Sequence, residues 1–210
     1  LFAYCSLAVS AKEELAQAFN GFDQVEIDFT QEVYDQFANL IEVSSGKCRV
    51  SKPSISWQTI EPFEQSVLLS ETTLKIFDPD LEQLIVRKTR GEEESIPLSL
   101  LRKKSADFED FVVSKLTSDF SFIQRYSLSP VSKQAVYARI EIEIRDKVLR
   151  QIKLFGLSGE ESRIELSNST PLSGDDLVLR LEVPEGTDHL TYMGLAAAAR
   201  QPLGTGGHRL

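Results

Sequence analysis

From Val25 to Val183 apolar and polar residues alternate with a period of two, the mark of half-buried strands. The cleanest run sets Val136, Ala138, Ile140, Ile142 and Ile144 against Tyr137, Arg139, Glu141, Glu143 and Arg145. Val25, Ile27, Phe29 and Val33 alternate with Glu26, Asp28, Thr30 and Glu32 in the same way. Arg145-Asp146-Lys147 turns the chain, and Val148, Ile152 and Leu154 resume the same parity. Gly156 to Gly159 turns it again into Ile164 and Leu166, and a last strand carries Leu177, Leu179, Leu181 and Val183. Further strands are predicted near 38–51, 54–60, 65–70, 73–78, 83–90, 110–116 and 119–128. About ten or eleven short strands joined by small turns describe an antiparallel meander.

Two segments break the alternation. Leu15, Phe19 and Phe22 fall at i, i+4 and i+7, one stripe of an amphipathic helix over 12–22 that Asn20-Gly21 closes. A second helical segment near 96–109 opens at Pro97 and carries Leu98, Leu100, Leu101 and Phe108. A long sheet with one apolar face must curl over that face or cover it. Two short helices cannot form a full second layer, so the sheet bends into a cup with the helical segments across its mouth. Such a cup is either packed solid or left as a ligand cavity, and alternation alone does not separate the two.

Composition narrows the chemistry. In 210 residues, 23 Lys and Arg stand against 32 Asp and Glu, a formal net charge of −9, which counts against nucleic acid as a partner. Two cysteines exclude a disulfide framework or a multi-cysteine metal site, and the two histidines, His189 and His208, lie near the C-terminus. Gly156-Leu157-Ser158-Gly159 lacks the spacing of a nucleophile elbow. Asp78, Asp80 and Glu82 lack the glycine and distal glutamate of a calcium loop. Cys48 shares strand parity with Val50 and reads as a buried thiol. The expectation is a single non-catalytic domain over 12–189, without metal or cofactor.

The ends carry their own signals. Residues 1–11 are mostly apolar or small and stop at Lys12-Glu13-Glu14; Val9 and Ala11 give the small-residue pattern of a secretory cleavage site. The segment is read as a signal-peptide remnant, with a buried first strand as the alternative, and it implies export. Tyr4 before Cys5 does not suit a lipidated cysteine. Residues 190–210, rich in Ala and Gly, read as a solvated tail.

One stretch is specific enough to compare with a family. Residues 46–57, GKCRVSKPSISW, and 60–88, with Asp78-Pro79-Asp80-Leu81-Glu82-Gln83 at its centre, resemble the outer-membrane lipoprotein carrier protein family, LolA. Phe29-Thr30-Gln31, Ile96-Pro97-Leu98-Ser99-Leu100-Leu101 and the segment from Pro171-Leu172 to Val183-Pro184-Glu185-Gly186-Thr187-Asp188 resemble other family motifs, in the same order.

The resemblance implies a mainly β fold, an unclosed antiparallel β-barrel capped by a helical lid. It also implies a cofactor-free, monomeric periplasmic carrier. Its cargo would be acylated lipoproteins, taken from an inner-membrane lipoprotein-releasing ABC transporter and handed to an outer-membrane acceptor. On this chain the cavity wall would comprise Phe29, Val50, Ile55, Trp57, Val67 and Leu69, and the lid Leu15, Phe19, Phe22, Leu98 and Leu101. Lys52 stands before Pro53 where the family usually has an arginine that latches the lid, and a lysine offers a point charge in place of a planar fork. Glu71-Thr72 replaces an Asp-Gly turn, which disfavours the I′ hairpin form. A related half-barrel module that senses lipids or lipoproteins in the envelope is the alternative.

Overall fold

A computed structural model describes residues 10–89, 100–102, 108–133, 135 and 137–192. Helix α1 (Ala11–Asn20) comes first, followed by strands β1 (Val25–Tyr34), β2 (Leu40–Ser51), β3 (Ser54–Glu61), β4 (Gln65–Leu69), β5 (Thr73–Asp78) and β6 (Gln83–Lys88). Then come β7 (Phe111–Leu116), β8 (Ile123–Pro130), β9 (Tyr137–Arg145), β10 (Val148–Gly156), β11 (Glu161–Pro171) and β12 (Asp188–Tyr192). All twelve lie in one sheet, in the order β12-β6-β5-β4-β3-β2-β1-β11-β10-β9-β8-β7. Every pair is antiparallel except β12 with β6. The sheet does not close, because β12 and β7 are edges that do not pair with each other. Among the described residues no helix is long and apolar enough to cross a membrane.

Register shows which side chains share a face. Ile27, Cys48, Trp57, Val67 and Ile76 stand opposite one another across five strands, and Val25, Val50, Ile55, Leu69 and Leu74 form the next row. On the other half Tyr126, Ile142, Ile152 and Ile164 make a third row. These rows form the concave, apolar side and merge into one core with α1, Leu100, Leu101 and Phe108.

Helix α1 begins with a capping box. The Ser10 hydroxyl accepts from the Glu13 amide, while the Glu13 carboxylate accepts from the Ser10 amide at 2.9 Å. Ser10 and Ala11, placed by the sequence reading before a cleavage point, therefore belong to the helix in the folded chain. Gly21 follows it in right-handed helical conformation.

The structure corrects three readings. Residues 177–183 form no strand: after a 3₁₀ turn (Gly174–Leu177) the chain crosses as a strap. The Leu172 amide donates to Gln24 O, the Ser51 hydroxyl on the convex side donates to Leu177 O, and the Asp188 amide donates to Glu82 O. The strap thus runs over the convex side, where Leu68, Phe77 and Leu84 are buried. Leu179, Leu181 and Val183 are half-buried and Val178, Arg180 and Glu182 exposed, which explains the alternation that mimicked a strand. Second, residues 190–192, expected in a tail, complete β12 against β6. Third, a register shift between Leu149 and Gln151 turns Leu149 inward and leaves Val148 exposed, opposite to the predicted parity.

Candidate functional site

The concave face is a trough whose wall is apolar by strand parity. Phe29, Val50, Ile55, Trp57, Val67 and Leu69 all point into it and are each at most 3% exposed. Phe29 and Trp57 stack at 3.9 Å between ring centroids, with an interplanar angle of 29°. Gly46 makes that approach possible. It lies opposite both Phe29 and Thr59, and a Cβ there would sit 1.9 Å from the Gln58 carbonyl oxygen.

Two segments fill the trough. From α1 come Leu15, Ala16 and Phe19, with Phe22 just beyond it; from the second segment come Leu100 and Leu101, and Phe108 lies further on, all buried. Phe19 meets Phe108 edge-on at 5.3 Å, which joins the two. Leu98, the remaining expected lid residue, lies outside the described residues. Residues 100–102 are helical, as expected for part of 96–109. The trough is therefore filled by the chain's own side chains, the packed outcome of the two that alternation left open.

Polar contacts tie the lid to the sheet at its edges. The Lys52 ammonium donates to Phe19 O at 2.7 Å, at the last turn of α1, where carbonyls lack intrahelical partners. The Lys52 amide donates to the Asp23 carboxylate, which fixes the chain leaving the helix. Arg102 reaches the Ser70 carbonyl oxygen at 2.8 Å in the β4–β5 turn. Ser70 and Thr73 close that turn through their own side chains, so Glu71-Thr72 needs no left-handed residue there. On the far flank Glu14 accepts from Lys115 and from the Tyr126 hydroxyl, and Lys12 pairs with Glu109 at 3.3 Å. The hydrogen bond from Lys115 holds the Glu14 carboxyl below the usual glutamate range.

Sequence reasoning missed several parts of this closure. Cys48 and Ile27 share the Trp57 row and could have been added to the wall by parity. The Ser10 box was visible as Ser-x-x-Glu. No sequence signal connects Arg102 with Ser70 or Lys115 with Glu14, because chain path alone brings them together. Burial pushes the Cys48 thiol up to about 12, so it is inert while the lid is closed. Among the described residues, no cluster of three or more potential metal ligands exists.

Comparison with known proteins agrees with this architecture. Over 191 residues the chain is 26% identical to an outer-membrane lipoprotein carrier protein of Vibrio cholerae, covering 90% of this chain and 93% of that one. It is 27% identical over 169 residues to the protein of the same name from Xanthomonas campestris, covering 80% of each. An uncharacterised conserved protein of Thermus thermophilus shares the fold, with a TM-score of 0.54 and 8% identity over 87% of this chain and all of that one. Residues 20–176, which carry the wall, Lys52 and the second lid segment, match the family of the outer membrane lipoprotein carrier protein LolA, and the chain belongs to that family.

Proposed function

We propose that this protein is a periplasmic carrier that hides lipoprotein acyl chains in the trough, under a lid that trades its own contacts for those of the cargo. The carrying observation is a continuous apolar wall closed by two lid segments, each bonded to the body through a basic side chain and a backbone carbonyl.

Magnitudes favour exchange over permanent closure. The six large buried lid side chains, Leu15, Phe19, Phe22, Leu100, Leu101 and Phe108, at roughly 1.5–3 kcal/mol each, hide hydrocarbon worth the same order as an acyl chain. A sixteen-carbon chain, at roughly 0.8 kcal/mol per methylene, resists water by about 12 kcal/mol. Near balance between the two permits both loading and release, since each 1.4 kcal/mol of excess holding slows release about tenfold. No step needs a cofactor or a covalent intermediate. In this reading cargo arrives from an inner-membrane ABC transporter and leaves to an outer-membrane acceptor, with Lys52 as the latch that the closed, empty state uses.

The test is release of lipoproteins from inner-membrane spheroplasts of a Gram-negative host. The purified protein is expected to bring them into the supernatant as soluble one-to-one complexes. Release no greater than with buffer overturns the reading.

A further inference from the structure

The trough is not apolar along its whole length. Beyond the Phe29–Trp57 stack, towards the β1–β2 and β3–β4 turns, the same concave parity carries Gln31, Glu42, Ser44 and Thr59. With Trp57 and Gln65 they line a cavity of about 90 Å³, far too small for an acyl chain. Trp57 lines it and also belongs to the trough wall, so the two compartments meet at that residue.

The cavity holds hydrogen-bonding groups without protein partners. Ser44 is only 7% exposed, and its hydroxyl has no partner among the described residues. Gln31, equally buried, spends its amide nitrogen on the Ser162 hydroxyl at 3.1 Å and leaves its carbonyl oxygen free. Both oxygens still open onto the cavity, because among the described residues only Arg87 Nε is a buried side-chain polar atom without a partner, so they are free to bond a ligand. Three lining carboxylates, Glu42, Glu64 and Asp78, give the cavity its charge, and its lining includes no lysine or arginine. Burial pushes the Glu42 carboxyl above the usual range, as expected for an anion with no neighbouring cation.

We propose that this cavity takes the first polar group of an acylated amino terminus, the amide next to the acylated residue, and favours cargo with positive charge beside it. The inference rests on the carrier reading, because only an amphiphile lying along the trough brings a polar head to this end. Ser44 and Thr59 can donate to cargo carbonyls, while Gln31 and Glu42 can accept from cargo amides. The carboxylates attract basic side chains within a Debye length, about 10 Å at 0.1 M salt, and repel acidic ones.

Trp57 is the chain's one tryptophan and touches both compartments, so its fluorescence reads binding directly. The probes are dipalmitoylglyceryl-cysteinyl peptides continuing with one serine and four lysines, or with one serine and four glutamates. At low ionic strength the lysine peptide is expected to bind about tenfold more tightly, and the ratio to fall towards one in about 0.5 M salt. The triple variant Glu42→Gln, Glu64→Gln, Asp78→Asn is expected to cut the ratio to about twofold while both peptides still bind. Equal affinities in the unaltered protein overturn the head-group site and leave the carrier reading standing. Failure of both peptides to bind overturns both readings.

Discussion

The Lys52 ammonium and the Phe19 carbonyl oxygen lie 2.7 Å apart, and through this bond the loop between β2 and β3 holds the end of the lid helix. The bond exists only while α1 lies in the trough, so on the proposed carrier function it stabilises the closed state against loading. A charge-assisted hydrogen bond of this kind contributes roughly 1.5–3 kcal/mol. Lys52→Met is therefore expected to loosen α1 and to raise the apparent affinity for an acylated peptide by about tenfold, with slower release. Lys52→Arg keeps the charge and is expected to lie between the two. Stopped-flow fluorescence of Trp57 measures both rates; unchanged rates in Lys52→Met would show that the bond is not a latch.

Cys48 offers a second view of the same motion. Its thiol is fully buried in the Trp57 row, and burial raises it to about 12, so maleimide can reach it only when the lid lifts. With Cys5 replaced by serine, labelling at pH 8 is expected to be slow in the unaltered protein and at least about fivefold faster with Lys52→Met. Bound acylated peptide is expected to slow it again. Fast labelling of the closed protein would mean the wall is open to solvent without lid movement.

How far the sequence revealed this design differs between body and closure. Eleven of the twelve predicted strand positions correspond to strands of the sheet, β1 to β11 with the meander intact, because period-two alternation directly records which face is buried. Leu179, Leu181 and Val183 misled for the same reason: a strap lying on an apolar convex patch alternates as a strand does. Val148 misled because one extra residue at a bulge inverts parity, and composition does not mark bulges. The wall residues were legible as an inward set. Which carbonyl Lys52 or Arg102 reaches was not, since those pairs lie 33 and 32 residues apart and meet only through tertiary path.

Acid should loosen the lid in a defined window. Glu14 is held below the ordinary value of about 4.5 by Lys115 first and by Tyr126. A carboxyl depressed in the folded state adds stability above its unfolded pKa and loses that contribution as pH falls through the folded value. Glu26, lowered by Lys47 and then Arg49, acts in the same direction. So does Glu143, where burial opposes ionisation but hydrogen bonds from Arg125 and Arg145 outweigh it. The urea midpoint is expected to be nearly flat from pH 7 to about 5 and to fall below about 4.5. Glu14→Gln should lower Cys48 protection at pH 7 and flatten its acid dependence; an unchanged acid profile would rule out Glu14 as the lid's titrating contact.

Gly46 tests whether the wall tolerates any change in strand spacing. A methyl group there would meet the Gln58 carbonyl oxygen at 1.9 Å and the Thr59 Cα at 2.9 Å, both backbone atoms that cannot rotate away. Relief requires β3 to move from β2, which would separate Phe29 from Trp57 and break the ladder at the bulge between Ser45 and Gly46. Gly46→Ala is therefore expected to cost more than about 2 kcal/mol by urea unfolding, beyond the usual effect of a one-carbon change. A shifted Trp57 emission should accompany it. Gly21→Ala serves as the control, because its Cβ would meet only the Ala18 carbonyl oxygen at an ordinary 3.6 Å, and its backbone is already right-handed. There the change is expected to be neutral or slightly stabilising, by a few tenths of a kcal/mol, through lower entropy of the unfolded chain. Equal stability of Gly46→Ala and the parent would mean that the β2–β3 spacing is soft, and a wall that soft could widen for cargo without any lid opening.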